Sequence, residues 1–177
     1  MPKPLKQERF LRLLDEHRKI LFKVAHSYSR DPSDREDLVQ EIALQLWRSF
    51  DRYDERRPFP TWMYRVALNV AISFVRRESR RRRMTVPLDE AILEVVEAPG
   101  KGEGEATMEQ LRRVLDGLAA IDRALVLLYL DGHSHQAIAD ILGISRSNVG
   151  TKVGRIKERM RLEWSEPTIG GINDGTG

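Results

Sequence analysis

Few side chains in this sequence can do covalent or redox chemistry. The 177 residues include no cysteine, which removes thiol nucleophiles, thiolate zinc sites, iron–sulfur clusters and disulfides. The histidines are His17, His26, His133 and His135. His133 and His135 stand two apart, yet spacing sets no carboxylate or thiol beside them, so they read as turn and helix-start residues. No glycine-rich phosphate loop, nucleophile–base pair or carboxylate dyad stands out. The expectation is a binding protein and not an enzyme, with no catalytic residues, no metal and no cofactor. What the sequence offers instead is cations in blocks. Residues 76–83 hold six arginines against Glu78 alone, and residues 145–161 hold six Lys or Arg against Glu158 alone. Between them, residues 84–109 carry seven acids and one lysine, so a net charge of only +3 hides strong segregation. Basic clusters on helices displace condensed counterions from phosphate backbones. Each basic run ends a predicted helix, and nucleic acid is the expected partner.

The most explicit local motif runs from His135 to Lys157. Ser134 can cap a helix over His135–Leu142, Gly143 suits a left-handed turn, and Ser145 can cap the next helix, Arg146 to about Trp164. Ala139 is small where two helices cross closely. Ala137, Ile138, Ile141 and Leu142 supply an inner face, Ile144 plugs the core and Val149 anchors the second helix. This is the spacing of a helix-turn-helix, whose second helix enters the major groove. Arg146, Ser147, Asn148, Thr151, Lys152 and Arg155 are left outside. Arginine can bond guanine and asparagine can bond adenine, each through two hydrogen bonds. Lysine, threonine and the helix N-terminus suit phosphates. Gly150 and Gly154 are costly in a helix interior; close approach to DNA and neutral drift both account for them.

The elements that must position these residues are helical throughout, and no strand pattern appears. Apolar residues from Phe10 to Tyr28 recur at helical spacing as one long amphipathic stretch, which Asp31-Pro32 ends. Ser33 and Glu36 form a capping box for the next helix, whose buried stripe is Leu38, Ile42, Leu46 and Phe50. Residues 51–60 read as a loop. A third helix starts near Pro60 or Thr61 with Val66, Ala67, Val70 and Phe74 inward, and runs into the arginine block. Residues 87–104, rich in Pro, Gly and acids, read as a linker. Helical patterning resumes with a Thr107/Gln110 capping box, then a short helix capped by Asp122 and ended by Gly132. The expected organisation is all-α: two small helical domains, 1–85 and 107–164, joined by a flexible acidic linker, 86–106, with a disordered tail, 165–177. The longest apolar run, Ala124 to Leu130, is too short to span a bilayer, and no signal-peptide core is present. The expectation is a cytoplasmic protein with no membrane insertion of its own.

Read together, both halves resemble a bacterial RNA polymerase sigma factor of the extracytoplasmic-function (ECF) group of the sigma-70 family. The segment Asp34–Trp47, DREDLVQEIALQLW, resembles sigma region 2.2. The segment Phe59–Arg77, FPTWMYRVALNVAISFVRR, resembles regions 2.3 and 2.4, and Asp116–Leu162 resembles region 4. The resemblance implies a promoter-specificity subunit of core RNA polymerase. Region 2.2 would dock on the β′ clamp helices through Asp37, Leu38, Gln40, Glu41 and Leu44, and region 4 would meet the β flap. Trp62, Tyr64, Arg65 and Asn69, with Arg76, Arg77 and Arg80, would bind the −10 element. Aromatic and basic groups together suit a splayed single strand. Arg146, Ser147, Asn148, Thr151, Lys152 and Arg155 would bind the −35 element. An anti-sigma factor is the implied regulator. Two rival readings remain on the residues alone. One is a helix-turn-helix regulator that is no polymerase subunit, which leaves the first half unexplained. The other is a helical nuclease or RNA-processing enzyme using acids near Asp34–Glu41 with metal.

Overall fold

A computed structural model describes the backbone of residues 3–85 and 113–165, and side chains within 5–81 and 113–162. The described residues are helical, with no strand among them. The chain forms α1 (Lys3–Glu16), α2 (Arg18–Tyr28), α3 (Pro32–Ser49), a 3₁₀ turn at Phe50–Arg52 and α4 (Phe59–Thr85). After a helical turn at 113–116 come α5 (Ala120–Leu130), α6 (His135–Leu142) and α7 (Arg146–Ser165). The Thr107/Gln110 capping box, the acidic linker and the tail beyond 165 lie outside the described residues.

The first half is a bundle of α2, α3 and α4 with α1 laid against it. Its helices break where the backbone chemistry dictates. The long stretch expected from Phe10 to Tyr28 is two helices, because His17 sits at φ −114°, ψ 13° between them. At the start of α3 the cap is Asp31, not Ser33. Its carboxylate accepts the Asp34 N–H at 3.0 Å, and Pro32 takes the first helical position, where its missing N–H costs nothing. The stripe Leu38, Ile42, Leu46 and Phe50 is buried as its spacing requires. Helix α4 is rotated from expectation. Met63, Tyr64, Ala67, Leu68, Ala71 and Ile72 are buried, whereas Val66, Val70 and Phe74 are half-buried. The reason is that α4 packs on α2 and α3 with one side and on α5 and α6 with another.

In the second half, α6 and α7 each start from a serine cap. Ser134 Oγ accepts the Ala137 N–H and Ser145 Oγ accepts the Asn148 N–H, both at 3.1 Å. Gly143, at φ +69°, closes α6 in the left-handed conformation that a Cβ disfavours. Ile138, Ala139, Ile141, Val149, Val153 and Ile156 then interdigitate. Helix α5 begins earlier than its expected cap: Ala119 precedes it without a side-chain bond, and Asp122 lies inside the first turn. The cores of the two halves are continuous across the α4 contact.

Candidate nucleic-acid interface

Helix α4 is held by rings. Phe50, Tyr53, Phe59 and Trp62 lie with centroids 5.1 to 6.4 Å apart, and Phe10 meets Phe50 edge-on at 5.2 Å. Edge and offset contacts of this kind add to the burial energy. The Tyr53 hydroxyl donates to the Arg57 carbonyl at 2.7 Å, which ties down the loop before α4. Trp62 is half-buried within this cluster.

From that anchor a polar stripe runs along α4. Arg65, Asn69, Ser73, Arg76 and Arg80 are all exposed. Their spacing of three and four residues lines them on one side of the helix, with Trp62 at its start. Ser73 was absent from the sequence-derived set; helical spacing from Asn69 was the signal that could have found it. Its hydroxyl donates to the Asn69 carbonyl at 2.8 Å.

Of the residues expected on this surface, Tyr64 lies elsewhere and Arg77 is exposed but engaged within the protein. Tyr64 is 4% exposed and faces the second half, where its hydroxyl donates to the Asp131 carboxylate. Burial, then this bond to a carboxylate, pushes the phenol well above its ordinary pKa. Arg77 is partly exposed but donates to Glu41 at 2.6 Å, and that bond raises the guanidinium further.

On α3 the expected dock divides in the same way. Asp37, Gln40 and Leu44 are exposed along one side, with Leu44 47% accessible. Glu41 is half-exposed and engaged by Arg77. Leu38 is fully buried, because the stripe that packs α3 against the bundle passes through it. It belongs to the core.

In the second half, Arg146, Ser147, Asn148, Thr151 and Arg155 are exposed on α7 around the buried Val149 and Val153. The first three stand in the opening turn, at the positive end of the helix dipole, where Ser145 Oγ accepts the Asn148 N–H. Lys152 is half-buried and its ammonium pairs with Asp122 at 2.6 Å, so its charge is partly met within the protein. Asp122 and Asp131 as partners of basic or phenolic groups were missed from sequence, since each pairing joins residues far apart in the chain. Among the described residues no three His, Asp or Glu side chains converge as metal ligands, and no helix is long and apolar enough to cross a membrane.

Two family models match this chain: sigma-70 region 2 over residues 13–81, and sigma-70 region 4 over residues 108–160. Among curated relatives, the RNA polymerase sigma factor CnrH of Cupriavidus metallidurans is 27% identical over 87% of this chain and 85% of its own length. The ECF RNA polymerase sigma factor SigL of Mycobacterium tuberculosis is 29% identical over 87% of this chain and 88% of its own. Two solved structures share the fold at a TM-score of 0.64. One is CnrH in complex with the cytosolic domain of CnrY, at 21% identity, covering 90% of this chain and 91% of that one. The other is the sigma factor RpoE with the anti-sigma factor NepR from Bartonella quintana, at 22% identity, covering 92% and 97%.

Proposed function

This chain belongs to the ECF group of the sigma-70 family, and on that premise we propose how its surfaces divide the work of promoter recognition. Sigma factors bind core RNA polymerase and direct transcription initiation at −10 and −35 elements; they act as initiation subunits and not as classical enzymes. In our reading the α4 stripe Arg65, Asn69, Arg76 and Arg80, with Trp62, receives the −10 element. Arg77 joins it while leaning on Glu41. The opening turn of α7 reads −35 bases through Arg146, Ser147 and Asn148, and Thr151 and Arg155 meet the backbone. Asp37, Gln40 and Leu44 on α3 form the polymerase dock. The chain itself does no bond chemistry and works in the cytoplasm, where an anti-sigma factor holds it inactive.

The observation that carries this reading is that two exposed polar surfaces, one per half, both end in arginine-rich helices, each within the segment matched to its own sigma region. Run-off transcription with core polymerase on a promoter library tests it directly. For the dock, Asp37→Arg combined with Leu44→Glu should abolish co-purification with core polymerase. Folding should survive, because exposed substitutions usually change stability by only about 0.5 kcal/mol. Full-yield co-purification of that variant would overturn the assignment. Glu41 is the poorer probe, since replacing it also strands Arg77.

A further inference from the structure

The basic run of α7 is not one surface. Of its six cations, three reach back into the protein. Lys152 Nζ pairs at 2.6 Å with the carboxylate of Asp122, in the first turn of α5. Lys157 Nζ donates at 2.7 Å to the hydroxyl of Tyr129, near the other end of α5, and stands 4.7 Å from the centroid of that ring. Arg159 Nη1 donates at 3.0 Å to the carbonyl of Gly117, in the turn before α5. A fourth cation, Arg161, pairs with Glu158 of its own helix at 2.7 Å. Among the described residues Arg146 and Arg155 have no such bond, and both are exposed.

At about 3.6 residues per turn, these cations fall in a definite order around the buried seam Val149, Val153 and Ile156. Lys152 and Arg159 lie along one flank of the seam, and Lys157 lies along the other. The first flank meets the beginning of α5 and the turn before it, and the second meets its end. Helix α7 therefore crosses α5 with one flank tied to each end. Thr151 and Arg155 lie opposite the seam and are exposed. Two kinds of contact then do different work. Apolar burial has no preferred direction, so the seam sets how closely α7 sits and leaves it free to roll. A bond from a cation needs its acceptor at a set distance and angle, so bonds on both flanks oppose rolling either way. The fit at Gly117 is close: a Cβ there would stand 2.6 Å from Arg159 Nη2.

We propose that Lys152, Lys157 and Arg159 are positioning residues for −35 recognition, braced by Asp122, Tyr129 and Gly117, while Arg146 and Arg155 supply the charge that meets DNA. The inference rests on reading α7 as the −35 helix, and adds to it which of the helix's cations set its angle. Pairs this near the surface contribute little to stability. Their effect is on orientation, because a reading group must be held within about 10–20° of its productive geometry.

Binding of the full chain to a −35 duplex library at several salt concentrations tests this, with urea unfolding of each variant. Asp122→Asn is the sharpest variant, because two accounts of Asp122 differ in sign. The change removes a negative charge beside the reading helix and frees Lys152, so simple electrostatics raises affinity for every sequence and steepens the log–log salt slope. With Asp122 as a brace, affinity for the preferred sequence should instead fall about three- to tenfold, the scale of one partly exposed hydrogen bond. The gap between preferred and other sequences should narrow with it. Asp122→Lys with Lys152→Asp rebuilds the pair in reverse and should bring that gap back toward the parent's. Lys157→Met keeps a stem against Tyr129 and should narrow the gap at an unchanged salt slope. A phosphate contact at Lys157 would leave the gap alone and lower the slope by about 1. Gly117→Ala, which pushes the Arg159 guanidinium aside, should act as Lys157→Met does, and these two variants decide the matter if Asp122→Asn does not fold. Higher affinity with intact preference in Asp122→Asn, or a lower slope with intact preference in Lys157→Met, overturns the brace. A parent chain with no sequence preference defeats the −35 reading of α7 and the inference with it. A parent whose preference every folded variant keeps defeats the inference alone.

Discussion

The two halves anchor the helices that we propose face DNA by different physics. In the first half, α4 is seated by a cluster of rings drawn from α1, the 3₁₀ turn, the following loop and its own first turn. In the second, α7 is seated by a local succession of serine cap, left-handed glycine and second serine cap within a dozen residues. The first device spends large buried surface and depends on distant segments meeting. The second spends single hydrogen bonds and one backbone conformation. A surface built the first way should fail steeply when one ring is removed, and one built the second way should fail in small steps.

The sharpest way to break that contrast is Phe59→Ala. Phe59 is 4% exposed and touches the rings of His17, Phe50, Tyr53 and Trp62. Its truncation should cost about 3–5 kcal/mol, the range for buried aromatic-to-alanine changes. Urea denaturation of the full chain measures this. By comparison, Ser134→Ala removes one cap bond and should cost about 1 kcal/mol. Equal costs would show that the second half relies on its caps as heavily as the first relies on its rings.

The same contrast explains what could be read from sequence. The helix-turn-helix was legible residue by residue, because its caps and turn are local: Ser134, Gly143, Ser145 and Val149 act on neighbours three to five positions away. The all-α class and the α3 core stripe were legible from period alone. The phase of α4 was not, because the helix has two packed sides and its burial depends on where the second half docks. Tyr64 and Asp131 stand 67 residues apart, and no local pattern announces their pairing. Asp31 displaced Ser33 as the α3 cap because Pro32 fits the first helical position and fixes the start two residues earlier. Leu38 carried two readings, core and dock, and helical period favoured the one the structure shows.

Within the second half the reading surface can be sharpened by separating base contacts from phosphate contacts. Asn148→Ala should relax preference at one −35 position and cost about 1–3 kcal/mol for the preferred base. Arg155→Ala should weaken all −35 sequences alike and lower the log–log salt slope by about 1. Lys152→Ala should lower it by less, because Asp122 already meets part of that charge. Binding of the full chain to a −35 duplex library at several salt concentrations checks all three. If Arg155→Ala changes base preference while Asn148→Ala does not, the roles on α7 are reversed.

The smallest expected effect concerns the glycines of α7. Glycine in a helix interior costs about 1 kcal/mol relative to alanine, and α7 carries two. A methyl group at Gly154 would meet nothing within 4 Å, and one at Gly150 would meet only His135 Nδ1 at 3.9 Å, an ordinary contact. Neither has a positive φ. The protein alone therefore gives no reason for either glycine, and each alanine variant should raise stability by somewhat under 1 kcal/mol in thermal or urea unfolding. What separates the two positions is their relation to the opening turn of α7, which we propose faces DNA. Gly150 lies one turn from Arg146, among the exposed Ser147, Asn148 and Thr151, whereas Gly154 lies a further turn along, beside Arg155. If α7 enters the groove N-terminal end first, Gly150→Ala should weaken −35 binding while stabilising the fold, and Gly154→Ala should stabilise without affecting binding. Equal affinity for both variants and the parent would mean that neither glycine serves close approach to DNA. Weaker binding confined to Gly154→Ala would mean that the helix meets DNA further along its length than its opening turn.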